Sequence, residues 1–196
     1  IEWSRAHYVL FTLAELGLDF RHVRINPFTE ERKTPDYLKL NPLAQVPTLV
    51  DGDMVLTEAM AINFYLSRKY GPEKLWVKRL EDEAQIYKWT FFAVTQLETS
   101  CVDFILHRKA LDERERKPEL IRLAEQKLTK PLGVLNDHLA DKDALVAHRF
   151  TVADINMAGV LSYARSGEFD FSPYPHVARY LEIILSRPAR RNAETA

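Results

Sequence analysis

The chain has 196 residues, of which 46% are hydrophobic and 28% charged, and its 27 basic and 28 acidic side chains leave a formal net charge of −1. That length can bury a real core in one large domain or two small ones, and the balanced charge excludes a nucleic-acid polyelectrolyte or a membrane-surface binder. A single cysteine, Cys101, excludes an internal disulfide framework and a cysteine-based metal site, and with no bilayer-length apolar run and no signal-peptide pattern a reducing, cytoplasmic setting is expected.

Residues 7–17 predict a helix, because Val9, Leu10, Leu13 and Leu16 share one face and Gly17 suits the position just past its end. Residues 20–25 alternate weakly and predict a strand; 26–35 is loop by its proline and charge content, and 34–40 a short helix. Strands are expected at 48–50 and 54–56, joined by Asp51-Gly52-Asp53, a hairpin signal between apolar runs. Residues 57–70 are then helical, with Ile62, Tyr65, Leu66 and Tyr70 on one face and Gly71-Pro72 as the stop.

The texture changes after residue 72, and no further strand is predicted. Residues 81–107 form one long helical pattern carrying Tyr87, Trp89, Phe91, Phe92 and Phe104. Residues 118–139 form another, in which Pro131 predicts a kink. Thr151 and Pro175 open two more helices. An α/β part is therefore followed by an all-α part, with the boundary near residues 72–80.

Proline cannot donate to a sheet ladder, yet Pro47 stands at the head of the apolar run 46–50. A cis Val46–Pro47 bond would turn the N–H and C=O of Val46 toward an open edge, where an extended peptide-like ligand can pair with both. The alternative is an ordinary trans proline at a strand start. Glu58 stands at the mouth of the helix that follows the hairpin. The free N–H groups of that helix end attract a carboxylate, while Glu58 can hold an ammonium group. The plainer alternative makes Thr57 an N-cap and Glu58 a helix-dipole acid.

Taken together these residues resemble the glutathione transferase family. Asn41-Pro42-Leu43-Ala44-Gln45-Val46-Pro47-Thr48-Leu49 looks like its NPxGxVPxL block. Thr57-Glu58-Ala59-Met60-Ala61-Ile62 followed by Tyr65-Leu66 looks like its ESxAIxxYL block. Ser4-Arg5-Ala6 ahead of Val9-Leu10 and Glu15-Leu16-Gly17 is similar to its first loop and helix, and Phe150-Thr151-Val152-Ala153-Asp154-Ile155 to its FTxADI signature. The flavour is that of the bacterial enzymes.

The resemblance implies a thioredoxin-like domain over residues 1–72, with a mixed four-stranded sheet whose first strand lies ahead of Ile1. It implies an all-helical domain over residues 80–196 that carries a second-substrate pocket. Val46, before a cis Pro47, would pair with the cysteinyl part of glutathione, Glu58 and the N–H of Ala59 would hold the γ-glutamyl end, and Gln45 would contact the glycyl end. Ser4 would be the catalytic hydroxyl that donates to the thiolate, although it is slightly displaced from the expected register relative to Val9. Where the family usually has serine after the glutamate, this chain has Ala59, which removes one hydrogen bond and predicts weaker glutathione affinity.

The implied activity is conjugation of the glutathione thiolate, as co-substrate, to a small hydrophobic electrophile in detoxification, by a cytoplasmic homodimer with no metal, nucleic acid or membrane involved. A glutathione-dependent isomerase, dehalogenase or peroxidase, or a non-catalytic binding protein on the same fold, are the alternatives. Thr151 and Asp154 read as a capping pair rather than a catalytic one, Cys101 as a small packed residue, and His107 and Arg108 as cations suited to a helix end.

Overall fold

The computed structural model describes residues 4–26 and 28–195. The chain divides into two compact units, the first ending at Trp76 and including Pro188 onward, the second spanning Val77–Arg187.

In the first unit, α1 (Ala6–Leu16) buries Tyr8, Val9, Phe11 and Leu13. It ends on Gly17 at φ 69, a left-handed conformation that glycine adopts without Cβ strain. Residues 18–26 hold no strand, which corrects the strand expected at 20–25. Phe20 and Val23 are exposed, and no strand among the described residues lies alongside to complete a ladder. A 3₁₀ turn (Glu30–Lys33) and α2 (Pro35–Leu40) follow, the latter opened by a proline in its first turn, where no N–H is missed.

The sheet among the described residues is a two-stranded antiparallel hairpin, β1 (Thr48–Asp51) with β2 (Met54–Thr57), in the register Thr48↔Thr57, Leu49↔Leu56 and Val50↔Val55. The expected mixed four-stranded sheet is thus not present there, since a strand exists only through its partners; the strand placed ahead of Ile1 falls outside the described residues. Gly52 takes φ 61 in the hairpin turn, as a tight turn requires. Next, α3 (Ala59–Tyr70) buries Ile62 and Leu66, and α1 packs against both α3 and α9 (Pro188–Thr195). The last helix was not foreseen from the sequence. The hairpin is tied to α3 through Asp51, whose Oδ2 accepts from Tyr65 Oη (2.8 Å), Tyr70 Oη (2.7 Å) and Lys69 Nζ (2.9 Å). These donors hold the Asp51 carboxyl down at about 2.

The second unit is wholly helical. A continuous helical run comprises α4 (Leu80–Phe92), a π-type segment (Ala93–Glu98), α5 (Thr99–Ile105) and a second π-type segment (Leu106–Ala110). The long pattern read over 81–107 is therefore one run with two wide turns in it. Then come α6 (Pro118–His138), which continues through Pro131, and α7 (Val152–Ser166) and α8 (Pro175–Leu185). Most of α7 is buried, including Val152, Ala153, Ile155, Met157 and Leu161, so it forms the centre of this unit. Its start is fixed by Asp154, whose carboxylate accepts from Thr151 N–H (2.7 Å), Thr151 Oγ1 (3.1 Å), Leu145 N–H (2.8 Å) and Tyr180 Oη (3.1 Å). Those four donors satisfy a fully buried carboxylate and mark Thr151 and Asp154 as folding residues. Cys101 is buried, and that burial, with Glu98 beside it, pushes its thiol well above the ordinary range. His107 Nδ1 accepts from the N–H of Lys117 just before α6. No helix among the described residues is long and apolar enough to cross a membrane.

Candidate functional site

The loop between α2 and β1 is shaped by one buried side chain. Asn41 Nδ2 donates to the Gln45 carbonyl at 2.7 Å and to Thr48 Oγ1 at 3.3 Å, while its Oδ1 accepts from the N–H of Leu43 at 3.1 Å. Tyr37 Oη donates to the same Gln45 carbonyl at 2.6 Å. Two donors on one carbonyl pin the peptide that leads into Val46. Within this loop Ala44 takes φ 54, a left-handed conformation disfavoured for a residue with a Cβ, and its carbonyl accepts from Arg32 at 3.3 Å. The Val46–Pro47 peptide bond is cis.

At the other wall, β2 runs out at Thr57 and α3 begins. Glu58, rather than Thr57, occupies the N-cap position, with φ 68 and ψ 109 and no hydrogen bond from its side chain to the helix end. Its carbonyl receives the first helical bond, from Ile62 N–H at 2.9 Å. The N–H groups of Ala59 and the next residues have no acceptor within the helix, which gives this end a partial positive charge.

An open cleft joins these pieces. Gln45, Val46 and Pro47 line one side with Asn41 and Leu43, and Thr57, Glu58 and Ala59 line the other. The five residues singled out as binding candidates therefore lie around one space. Arg5, the residue just ahead of α1, also lines it. Ser4 is not among the residues lining the cleft; it sits at the start of α1, where its Oγ accepts from the N–H of Ala6 at 3.2 Å. Asn41, Arg5 and Thr57 were missed as site residues. The Asn41-Pro42 dipeptide was a usable signal, since asparagine before proline commonly bonds its own turn; nothing local marked Arg5. Chemically the cleft offers an exposed backbone edge, a helix N-terminus, one carboxylate and one guanidinium, a set suited to a short zwitterionic peptide. Among the described residues no cluster of His, Cys, Asp and Glu could hold a metal ion.

Comparison with known proteins agrees with this geometry. Residues 1–68 match the model of the glutathione S-transferase N-terminal domain and residues 103–188 that of its C-terminal domain. Glutathione S-transferase 3 of Zea mays is 35% identical over 188 residues, covering 92% of this chain and 84% of that protein. Elongation factor 1-gamma 1 of Oryza sativa subsp. japonica is 34% identical over 159 residues, covering 80% of this chain but only 38% of that longer protein. A solved structure of glutathione S-transferase-I bound with lactoylglutathione superposes with a TM-score of 0.88 at 27% identity, covering 97% of this chain and 93% of the other. The chain belongs to the glutathione S-transferase family, with a thioredoxin-like N-terminal part and a helical C-terminal part.

Proposed function

We propose that this chain is a glutathione transferase, joining the thiolate of glutathione to a small hydrophobic electrophile. The observation that carries the reading is the cleft that brings Val46–Pro47 and Glu58 face to face across the N-terminus of α3. The tripeptide extends along the loop and pairs its cysteinyl backbone with Val46. Glu58 takes its ammonium group, the N–H of Ala59 its γ-glutamyl carboxylate, and Gln45 lies toward its glycyl end. A free thiol ionises near pH 8.5, so only a few per cent is thiolate at neutrality. A hydroxyl that donates to sulfur raises that fraction. We assign that role to Ser4, which stands beside the lining residue Arg5 rather than in the lining itself, and whose Oγ accepts from the Ala6 N–H and so keeps its hydrogen to donate. The thiolate then attacks the electrophile: the carbon–sulfur bond forms as the leaving group departs, and the thiol proton has already passed to water. The helical part contributes the pocket for the electrophile, and the protein works as a cytoplasmic homodimer in detoxification.

The test is calorimetric titration with glutathione beside a Glu58→Ala variant, followed by turnover with an aryl halide. Saturable binding that the variant loses, with turnover in the native chain, supports the enzyme. Binding without turnover favours a second reading, a glutathione-binding module without catalysis. Ala59 at the serine position and the likeness to elongation factor 1-gamma favour that reading. Absence of binding refutes both.

A further inference from the structure

We propose that Thr57 is a binding residue of this cleft, its hydroxyl donating a hydrogen bond to the γ-glutamyl carboxylate of glutathione beside the N–H of Ala59. The inference deepens the transferase reading above and rests on it. Thr57 closes β2 and lines the cleft on the same wall as Glu58 and Ala59. The sheet register fixes the side on which its side chain stands. Thr57 lies directly opposite Thr48, and residues directly opposite in an antiparallel pair project from the same face. That face is marked by Thr48 Oγ1, which meets Tyr37 Oη at 3.0 Å and Asn41 Nδ2 at 3.3 Å. Asn41 itself lines the cleft, so the Thr57 side chain leaves β2 on the side where the cleft loop lies. Its hydroxyl is uncommitted: Thr57 Oγ1 bonds to no described residue and is not sealed from solvent. The amide of Asn41, by contrast, is already engaged by the Gln45 carbonyl and Thr48 Oγ1. On the wall of β2 and α3, Glu58 as a carboxylate only accepts, and Ala59 offers only its backbone N–H. A ligand carboxylate drawn to that helix end by its partial positive charge has about four lone-pair sites. One N–H leaves it under-bonded, and Thr57, two residues ahead of Ala59, is the side chain on this wall that can supply a second donor. Such a bond to a charged acceptor is stronger than a neutral one. Thr57 thereby offsets the hydroxyl absent at Ala59.

The experiment compares the native chain with Thr57→Val, Thr57→Ala and Thr57→Ser. The first two remove the hydroxyl, valine at matched shape and with the same suitability for a strand; serine keeps it. Two ligands are titrated by calorimetry: glutathione, and its analogue with γ-aminobutyryl in place of γ-glutamyl, which keeps the ammonium group and lacks the carboxylate in question. Thr57→Val and Thr57→Ala should each bind glutathione about five- to tenfold more weakly than the native chain. The analogue should bind the native chain and these variants alike, because the missing hydroxyl has no carboxylate to meet. Thr57→Ser should hold glutathione within about twofold of the native chain. A glutathione affinity unchanged by loss of the hydroxyl overturns the proposal and leaves the transferase reading standing. Equal weakening of both ligands also overturns it, by assigning the effect to the shape of the wall, as does a loss in Thr57→Ser as large as that in Thr57→Val. Failure of the native chain to bind glutathione removes both the proposal and the reading beneath it.

Discussion

Asn41 and Gln45 are joined across the loop ahead of β1 by a 2.7 Å bond from the Asn41 amide to the Gln45 carbonyl. Asn41 is only 3% exposed, and its other bonds hold Leu43 and Thr48. Asn41→Ala leaves the Leu43 N–H and part of the Gln45 carbonyl unsatisfied, so unfolding free energy should fall by about 1–3 kcal/mol in urea denaturation. Glutathione affinity should fall with it, because the peptide carrying Val46 loses its support. A variant of native stability would show that Tyr37 alone fixes the loop.

Ala44 stands at φ 54, where the matching family block has glycine. A Cβ in the left-handed region costs about 1–2 kcal/mol, partly offset by the greater freedom glycine loses on folding. Ala44→Gly should therefore raise stability by roughly 0.5–1 kcal/mol, read as a higher urea midpoint at unchanged slope, with the cleft intact.

Glu58 combines φ 68 with a place in the cleft. Strain at such a position is retained where binding needs the side chain. Glu58→Gly should gain about 1 kcal/mol of stability by relieving the positive φ while abolishing glutathione binding. Glu58→Ala should lose binding with no such gain. Thermal melts and calorimetry on the two variants separate strain from ligand contact, and equal stability would remove the strain argument.

Asp51 is held at about 2 by hydrogen bonds from Lys69, Tyr70 and Tyr65. Because the folded value lies below the unfolded one, near about 3.9, the carboxylate contributes its full share of stability above that unfolded value. The share is lost as pH falls through the folded value. Asp51→Asn should melt below the native chain at pH 7, and the gap should close between about pH 4 and pH 2. A gap that persists at pH 2 would assign the effect to shape rather than charge.

The features legible in the sequence were those written in adjacent residues. Val46-Pro47 and Asp51-Gly52 declare a break and a turn by backbone chemistry, and Thr151 with Asp154 declares a helix start. Heptad-like spacing on α1, α3 and α6 declares amphipathic helices. Residues 20–25 misled because weak alternation only permits a strand, and a ladder partner must complete it. Helix α9 was missed because its run Pro188-Ala-Arg-Arg-Asn-Ala-Glu-Thr has almost no apolar period, and it is held instead by packing on α1.

By itself, then, the sequence determined the hairpin, every helix but α9, and the change of texture near residue 72, all of which follow from interactions a few residues long. Its resemblance to a family, carried by short blocks of residues, added Gln45, Val46, Pro47, Glu58 and Ala59 as candidate contacts. Only the tertiary structure decided that the loop after α2 and the head of α3 wall the same cleft, that Glu58 rather than Thr57 takes the cap position at positive φ, and that Asn41 and Arg5 join the lining. The physical reason is that a helix end can present its first residues in several directions, and the one realised is set by how α1 packs its buried face on α3 and α9.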